Sequence, residues 1–101
     1  MMNRLELARK FSESLNYPEI EKIILFGSVA RGDDREGSDI DIIIISTKKT
    51  EIKDKVIRKA RDILLSTGVH ISVKVISPEE YRLLGDTHFI SRIRKEGVVL
   101  G

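Results

Sequence analysis

The chain has 101 residues; 18 are Lys or Arg and 16 are Asp or Glu, so the formal net charge is only +2. That length supports one hydrophobic core rather than two, and so small a charge excess excludes a surface that binds nucleic acid by basic character alone. With no cysteine in the chain, disulfides, thiolate catalysis and cysteine zinc sites are excluded as well.

The opening "MMNRLELARKF" is charged throughout and lacks the apolar core of a signal peptide. The apolar run Ile42 to Ile45 is far too short to cross a bilayer. A cytoplasmic location without membrane contact is the expectation. Leu5, Ala8, Phe11 and Leu15 recur at helical spacing and predict an amphipathic helix over residues 3 to 15, broken by Asn-Tyr-Pro at 16 to 18. Ile23 to Phe26 reads as a short strand ending at Gly27, and Ser28 to Gly32 as a turn with room for one helical turn. The polar stretch "DDREGS" is a loop, and Asp39 to Ile45 is the next strand.

Further along, Ile52, Val56, Ala60, Ile63 and Leu64 mark one face of a helix over Glu51 to Ser66, with Gly68 suited to cap it. Val69 to Ile76 alternates, with Val69, Ile71, Val73 and Val75 on one side and His70, Ser72 and Lys74 on the other. Ser77-Pro78-Glu79-Glu80 is a helix start, with Ser as cap, Pro in the first turn and Glu80 closing a capping box. Phe89, Ile90 and Ile93 predict a last helix, stopped by Gly97 ahead of the apolar "VVL". No repeat, low-complexity tract or linker interrupts this order. The expected fold is therefore α+β, a mixed sheet flanked by helices, in a single domain over residues 1 to 101.

Chemistry concentrates in "ILFGSVARGDDREGSDIDIII", residues 24 to 44. Asp39 and Asp41 are two apart on an apolar strand, so they share a face with Cα atoms roughly 6.5 Å apart. Two ionised carboxylates so placed repel each other, and burial aggravates the repulsion. A divalent cation removes the conflict, and magnesium is commonly held by one or two carboxylates with water and substrate phosphates completing its shell. An amphipathic strand that merely carries two aspartates outward is the plain alternative, although Asp is disfavoured in strands. Upstream, Gly27 lets backbone approach a phosphate, Ser28 adds a hydroxyl donor and Arg31 a charged fork. An ordinary strand-to-helix turn would use the same Gly and Ser. Gly27 and Gly32 have Walker A spacing, but Asp33 follows where Lys and Ser or Thr are required, and no G-x-G-x-x-G is present.

"GSVARG" followed after a short loop by "SDIDI" resembles the paired motif of the polymerase-beta-type nucleotidyltransferase superfamily. More narrowly, the chain is similar to the minimal nucleotidyltransferases of bacteria and archaea. The motif spans residues 23 to 45, and the size and later element order extend the likeness over most of the chain. The resemblance implies that Gly27 and Ser28 hold a nucleoside triphosphate, ATP or another, and that Asp39 and Asp41 bind Mg²⁺ or Mn²⁺. It implies transfer of a nucleoside monophosphate to a hydroxyl with release of pyrophosphate. It also suggests a HEPN-domain protein as partner, with this chain as the antitoxin of the pair.

One departure stands out. Active members usually place a third carboxylate on a neighbouring strand, and the corresponding strand here offers only His70, Ser72 and Lys74. Glu79 and Glu80 are accounted for by helix capping, and Asp33, Asp34 and Glu36 by a solvated loop. The alternative function is thus a nucleotidyltransferase-fold module that has lost turnover and binds a HEPN-like partner, with or without nucleotide. Direct nucleic-acid binding fares worst, since the chain has two Tyr, three Phe and no Trp from which to build a stacking platform. An exposed sheet edge and the apolar "VVL" leave a homo-oligomer open.

Overall fold

The run Ile42-Ile43-Ile44-Ile45 has no polar alternation, and a strand of that kind needs apolar cover on both faces. The computed structural model, which describes residues 3–101, provides it. Strand β2 (Ile40–Ser46) lies inside a four-stranded sheet between β1 (Ile20–Phe26) and β3 (Ile71–Ile76), with the short β4 (Val98–Val99) on the far side of β1. Strand β1 runs antiparallel to both β2 and β4. β2 and β3 are parallel, joined across helix α3 (Lys49–Thr67) as parallel neighbours require.

One face of the sheet is covered by α1 (Arg4–Ser14) and α3, whose Ala8, Phe11, Ile52 and Val56 pack on Leu25, Ile40, Ile42 and Ile44. The other face is covered by α5 (His88–Glu96), whose Ile90 and Ile93 pack on Ile24, Ile43 and Ile45. Odd-numbered β2 residues therefore face α5, and this places Asp41 on the α5 side, beyond the end of the apolar cover. Helix α2 (Gly27–Arg31) follows β1 directly, and α4 (Pro78–Leu83) leads through a 3₁₀ turn, Leu84–Asp86, into α5.

Most element ends follow the local signals. Asn3 caps α1 by accepting from the Glu6 backbone N–H at 2.8 Å. Gly68 ends α3 in the left-handed region at φ +77°, donating to the Leu64 carbonyl. Ser77 and Glu80 form the expected capping box. Several boundaries differ from expectation. β1 begins at Ile20, three residues early, because pairing with Ser46 extends it. The expected turn at Ser28 to Gly32 contains a helical turn that starts one residue earlier, at Gly27. β2 starts at Ile40, so Asp39 stands just outside it, and β3 starts at Ile71 rather than Val69. Local periodicity cannot detect such shifts, which depend on where the partner strand begins.

No described helix is long and apolar enough to cross a membrane.

Gly97 joins α5 to the sheet. Its φ of −70° suits any residue, but a Cβ there would lie 2.7 Å from Ile24 Cγ2 and overlap the Ile93 carbonyl oxygen. Backbone and a buried isoleucine cannot move aside cheaply. Gly97→Ala is expected to destabilise the chain by about 1–3 kcal/mol, the usual range for overpacking, as read from chemical denaturation with an unchanged m-value.

Candidate functional site

The turn after β1 is shaped by Gly27, which adopts φ +73°, a conformation that L side chains rarely take. Space forbids a side chain as firmly as torsion does: a Cβ on Gly27 would overlap Asp41 Oδ2 and lie 3.2 Å from Asp41 Cγ. Residues fourteen apart in sequence are thus in direct contact, brought together by the antiparallel register that pairs Phe26 with Asp41. Ser28 is half-buried at the start of α2, and Arg31 ends that helix. The Arg31 guanidinium meets Asp33 at 3.3 Å and Glu96 at 3.9 Å.

Asp39 lies outside the strand and is positioned by its neighbours in the chain. Ser38 donates its N–H to the Arg35 carbonyl at 2.9 Å, accepts from the Arg35 N–H through Oγ at 2.8 Å, and accepts from Arg4 Nε at 2.7 Å through its own carbonyl. On the other side of Asp39, the Ile40 N–H donates to the His70 carbonyl at 3.0 Å. Held between these anchors, the Asp39 carboxylate is 3.3 Å from His70 Nδ1.

The two carboxylates differ in their surroundings. Asp41 is half-buried, whereas the Asp39 side chain is 52% exposed. Burial, and then the Asp39 charge, raise the Asp41 pKa from its ordinary value, and Arg31, His70 and Lys74 offset part of that shift. The pair is short of positive charge, as it should be if a cation completes it. Its donors are hard carboxylate oxygens of the kind magnesium takes one or two of, so the residues present fit such an ion.

The strand predicted to lack an acid does lack one. Ser72 is the β3 partner of Asp41 and Lys74 that of Ile43. The Lys74 ammonium lies over the Phe89 ring, 4.9 Å from its centroid. Glu80 is held by Ser77 and by Lys49 at 3.0 Å, and these contacts lower its pKa. Among the described residues, no group of three or more His, Asp or Glu is placed to hold a metal. His70 reaches Asp39, while His88 begins α5 on the exposed surface.

A hollow of about 190 Å³ opens beside Gly27, lined by Phe26, Arg31, Phe89, Arg92, Ile93 and Glu96. A larger one, about 390 Å³, follows the outer edge of β3 and the flank of α3. Gly27, whose Cα meets the Asp41 carboxylate, and Arg31 line the smaller hollow, while His70 and Ser72 line the larger. Arg92, Phe89 and Glu96 escaped the sequence reading. The only signal was the i, i+4 spacing of Arg92 and Glu96 on a predicted helix, and nothing local says that this helix docks against Gly27 and Arg31.

The profile of the family described as "Polymerase beta, Nucleotidyltransferase" matches residues 9–101. Two proteins of Methanocaldococcus jannaschii, both provisionally named protein adenylyltransferase, are similar throughout. One is 38% identical over 98% of this chain and 99% of its own length, the other 30% identical over 96% and 98%. Among solved structures, a provisionally assigned nucleotidyltransferase from Sulfolobus solfataricus superposes with a TM-score of 0.61 at 25% identity, covering 94% of this chain and 77% of that one. A toxin-antitoxin structure with AMP-PNP shares the fold at a TM-score of 0.59 and 19% identity, over 92% of this chain and 72% of that one.

Asp41→Asn removes a half-buried charge that the fold disfavours. Its raised pKa means that, between the unfolded-state value and the folded-state value, the folded chain binds more protons than the unfolded one. Stability contributed at this group therefore falls as pH rises through that window. Asp41→Asn is expected to raise the melting temperature at pH 7 without metal, with the gain shrinking as pH is lowered into the carboxylate range. Thermal scans across pH check this, and a variant less stable than the parent at pH 7 would contradict it.

Proposed function

The chain belongs to the polymerase-beta nucleotidyltransferase family, and from that premise we propose that it transfers AMP from ATP to a hydroxyl on a partner macromolecule, releasing pyrophosphate. The observation that carries the proposal is the contact between Gly27 and the Asp41 carboxylate. It joins the turn suited to phosphates and the pair suited to a cation into one site.

In this reading the bare Cα of Gly27 lets a phosphate come close to the backbone, and the Ser28 hydroxyl donates to one of its oxygens. Arg31 leaves its contacts with Asp33 and Glu96, both at the surface, for a stronger charge-assisted pair with phosphate. Asp39 and Asp41 would hold Mg²⁺ or Mn²⁺, and such an ion would neutralise phosphate charge and favour ionisation of the attacking hydroxyl. His70, with Nδ1 3.3 Å from the Asp39 carboxylate, steadies that residue. The hydroxyl oxygen displaces pyrophosphate from the α-phosphorus, and catalysis rests on placement and electrostatics.

Several observations support AMP as the transferred group and a protein as the acceptor. Both M. jannaschii relatives carry the provisional name of protein adenylyltransferase, and they match nearly end to end. Fold neighbours come from toxin-antitoxin assemblies. Together with the motif, these favour a role as antitoxin beside a HEPN-domain toxin inside the cytoplasm. The acceptor hydroxyl would belong to that partner.

A second reading has one specific observation in its favour. Ser72, not an acid, stands beside Asp41 on β3, so the chain would bind nucleotide and partner without turnover.

Incubation with the co-encoded partner, Mg²⁺ and ATP labelled at the α-phosphate distinguishes the two. Label is expected on the partner, and Asp39→Asn or Asp41→Asn is expected to reduce transfer by at least about a hundredfold, the scale for removing a key electrostatic contributor. Nucleotide binding without any transfer to the correct partner would overturn the enzymatic reading and leave the binding one.

A further inference from the structure

One cluster beside the site belongs to neither motif. Arg92 and Glu96 lie one turn apart on α5, and Glu96 Oε2 is 3.8 Å from Arg92 Nη2. The same oxygen is 3.9 Å from Arg31 Nη1. Two guanidiniums from separate elements thus converge on a single carboxylate oxygen, and all three residues line the hollow beside Gly27. Both separations exceed hydrogen-bonding distance, so neither guanidinium hydrogen-bonds Glu96, and Arg31 donates instead through Nε to Asp33 at 3.3 Å. The Glu96 carboxylate meets both forks through one oxygen and hydrogen-bonds neither. A phosphate, with three peripheral oxygens and more charge, can meet two guanidiniums at once. Phe26, Phe89 and Ile93 form the apolar wall of the hollow, and such a wall strengthens a charge-assisted bond made against it.

Size decides which part of a ligand belongs here. About 190 Å³ falls below the roughly 300 Å³ at which pockets begin to hold a whole small molecule. The hollow suits a phosphate group, not a nucleoside. Arg31 provides the connection, because it lies both on the turn of Gly27 and Ser28 and on the rim of this hollow.

We propose that Arg92 is a second phosphate-binding guanidinium, acting with Arg31 on the terminal phosphates of the nucleotide, and that Glu96 is the internal anion exchanged for them. The proposal rests on the reading of Gly27 and Ser28 as the triphosphate turn. It gives the chain a way to favour triphosphates: a nucleoside monophosphate has no terminal phosphates to reach Arg92 and gains nothing by displacing Glu96. Glu96 sets the threshold, since every phosphate that enters must compete with a carboxylate already between the two arginines.

Calorimetric titration at low ionic strength with Mg²⁺ tests this, using ATP, AMP and inorganic tripolyphosphate as probes. Arg92→Gln is expected to weaken ATP and tripolyphosphate about tenfold, corresponding to the loss of one charge-assisted contact, and to leave AMP unchanged. Glu96→Gln, which keeps shape and removes the competing charge, is expected to tighten ATP and tripolyphosphate severalfold. Lys95→Gln, on the same helix but outside the hollow, is expected to change none of them and controls for net charge. Arg92 is well exposed, so its replacement leaves the core intact. Parent-like affinity of Arg92→Gln for ATP overturns the proposal while the triphosphate turn stands. Equal weakening of AMP overturns it too, by making Arg92 a general contact. A parent chain that binds neither ATP nor tripolyphosphate overturns both this proposal and the reading beneath it.

Discussion

The fold turns on one close approach, that of the Asp41 carboxylate to the bare Cα of Gly27. A side chain at position 27 would push the first turn of α2 off the end of β2 and separate the two halves of the motif. The antiparallel pairing of Phe26 with Asp41 fixes that approach. Burial of the β2 isoleucines on both faces of the sheet then holds the paired strands in place. Packing far from the site thereby sets a distance inside it.

The cost of this arrangement falls on Asp41. The apolar strand that holds it in place also strips it of water, and Asp39 adds a like charge nearby. Structural groups are rarely left in such conflict, whereas sites awaiting a cation and phosphates often are. His70, Arg31 and Lys74 moderate the conflict without ending it. Lys74 is itself diverted, its ammonium resting on Phe89, so the charge nearest to hand on β3 is partly spent on holding α5 against the sheet.

Legibility divides along the same line. The faces of β3 were readable from alternation, so the absence of an acid beside Asp41 was visible in "VHISVKVIS" and holds in three dimensions. The capping box at Ser77 and the closing glycine at 68 are local signals, and they mark true boundaries. Asp39 read as a strand residue because nothing in its neighbours announces where pairing with β3 begins. Phe89 read as an apolar partner of Ile90 and Ile93, yet it is 43% exposed while they are buried. It stands edge-on to Phe26, with ring centroids 5.9 Å apart, at the mouth of the hollow. Arg92 and Glu96 were ordinary helix-surface charges in sequence. Their meaning comes from the docking of α5 onto Ile24 and Ile43, a contact between distant parts of the chain that no local pattern encodes.

The bond from Arg4 to the Ser38 carbonyl makes the two aspartates unequal in a further respect. Asp41 is carried by the interior of a sheet, the part of a small protein that opens only when the whole molecule unfolds. Asp39 is carried by a loop whose outer tether is the first residue of a helix, where local opening is easiest. The two acids therefore sit on different rungs of the unfolding ladder. Loosening of the first helical turn removes one of the tethers behind Asp39 and none of those behind Asp41.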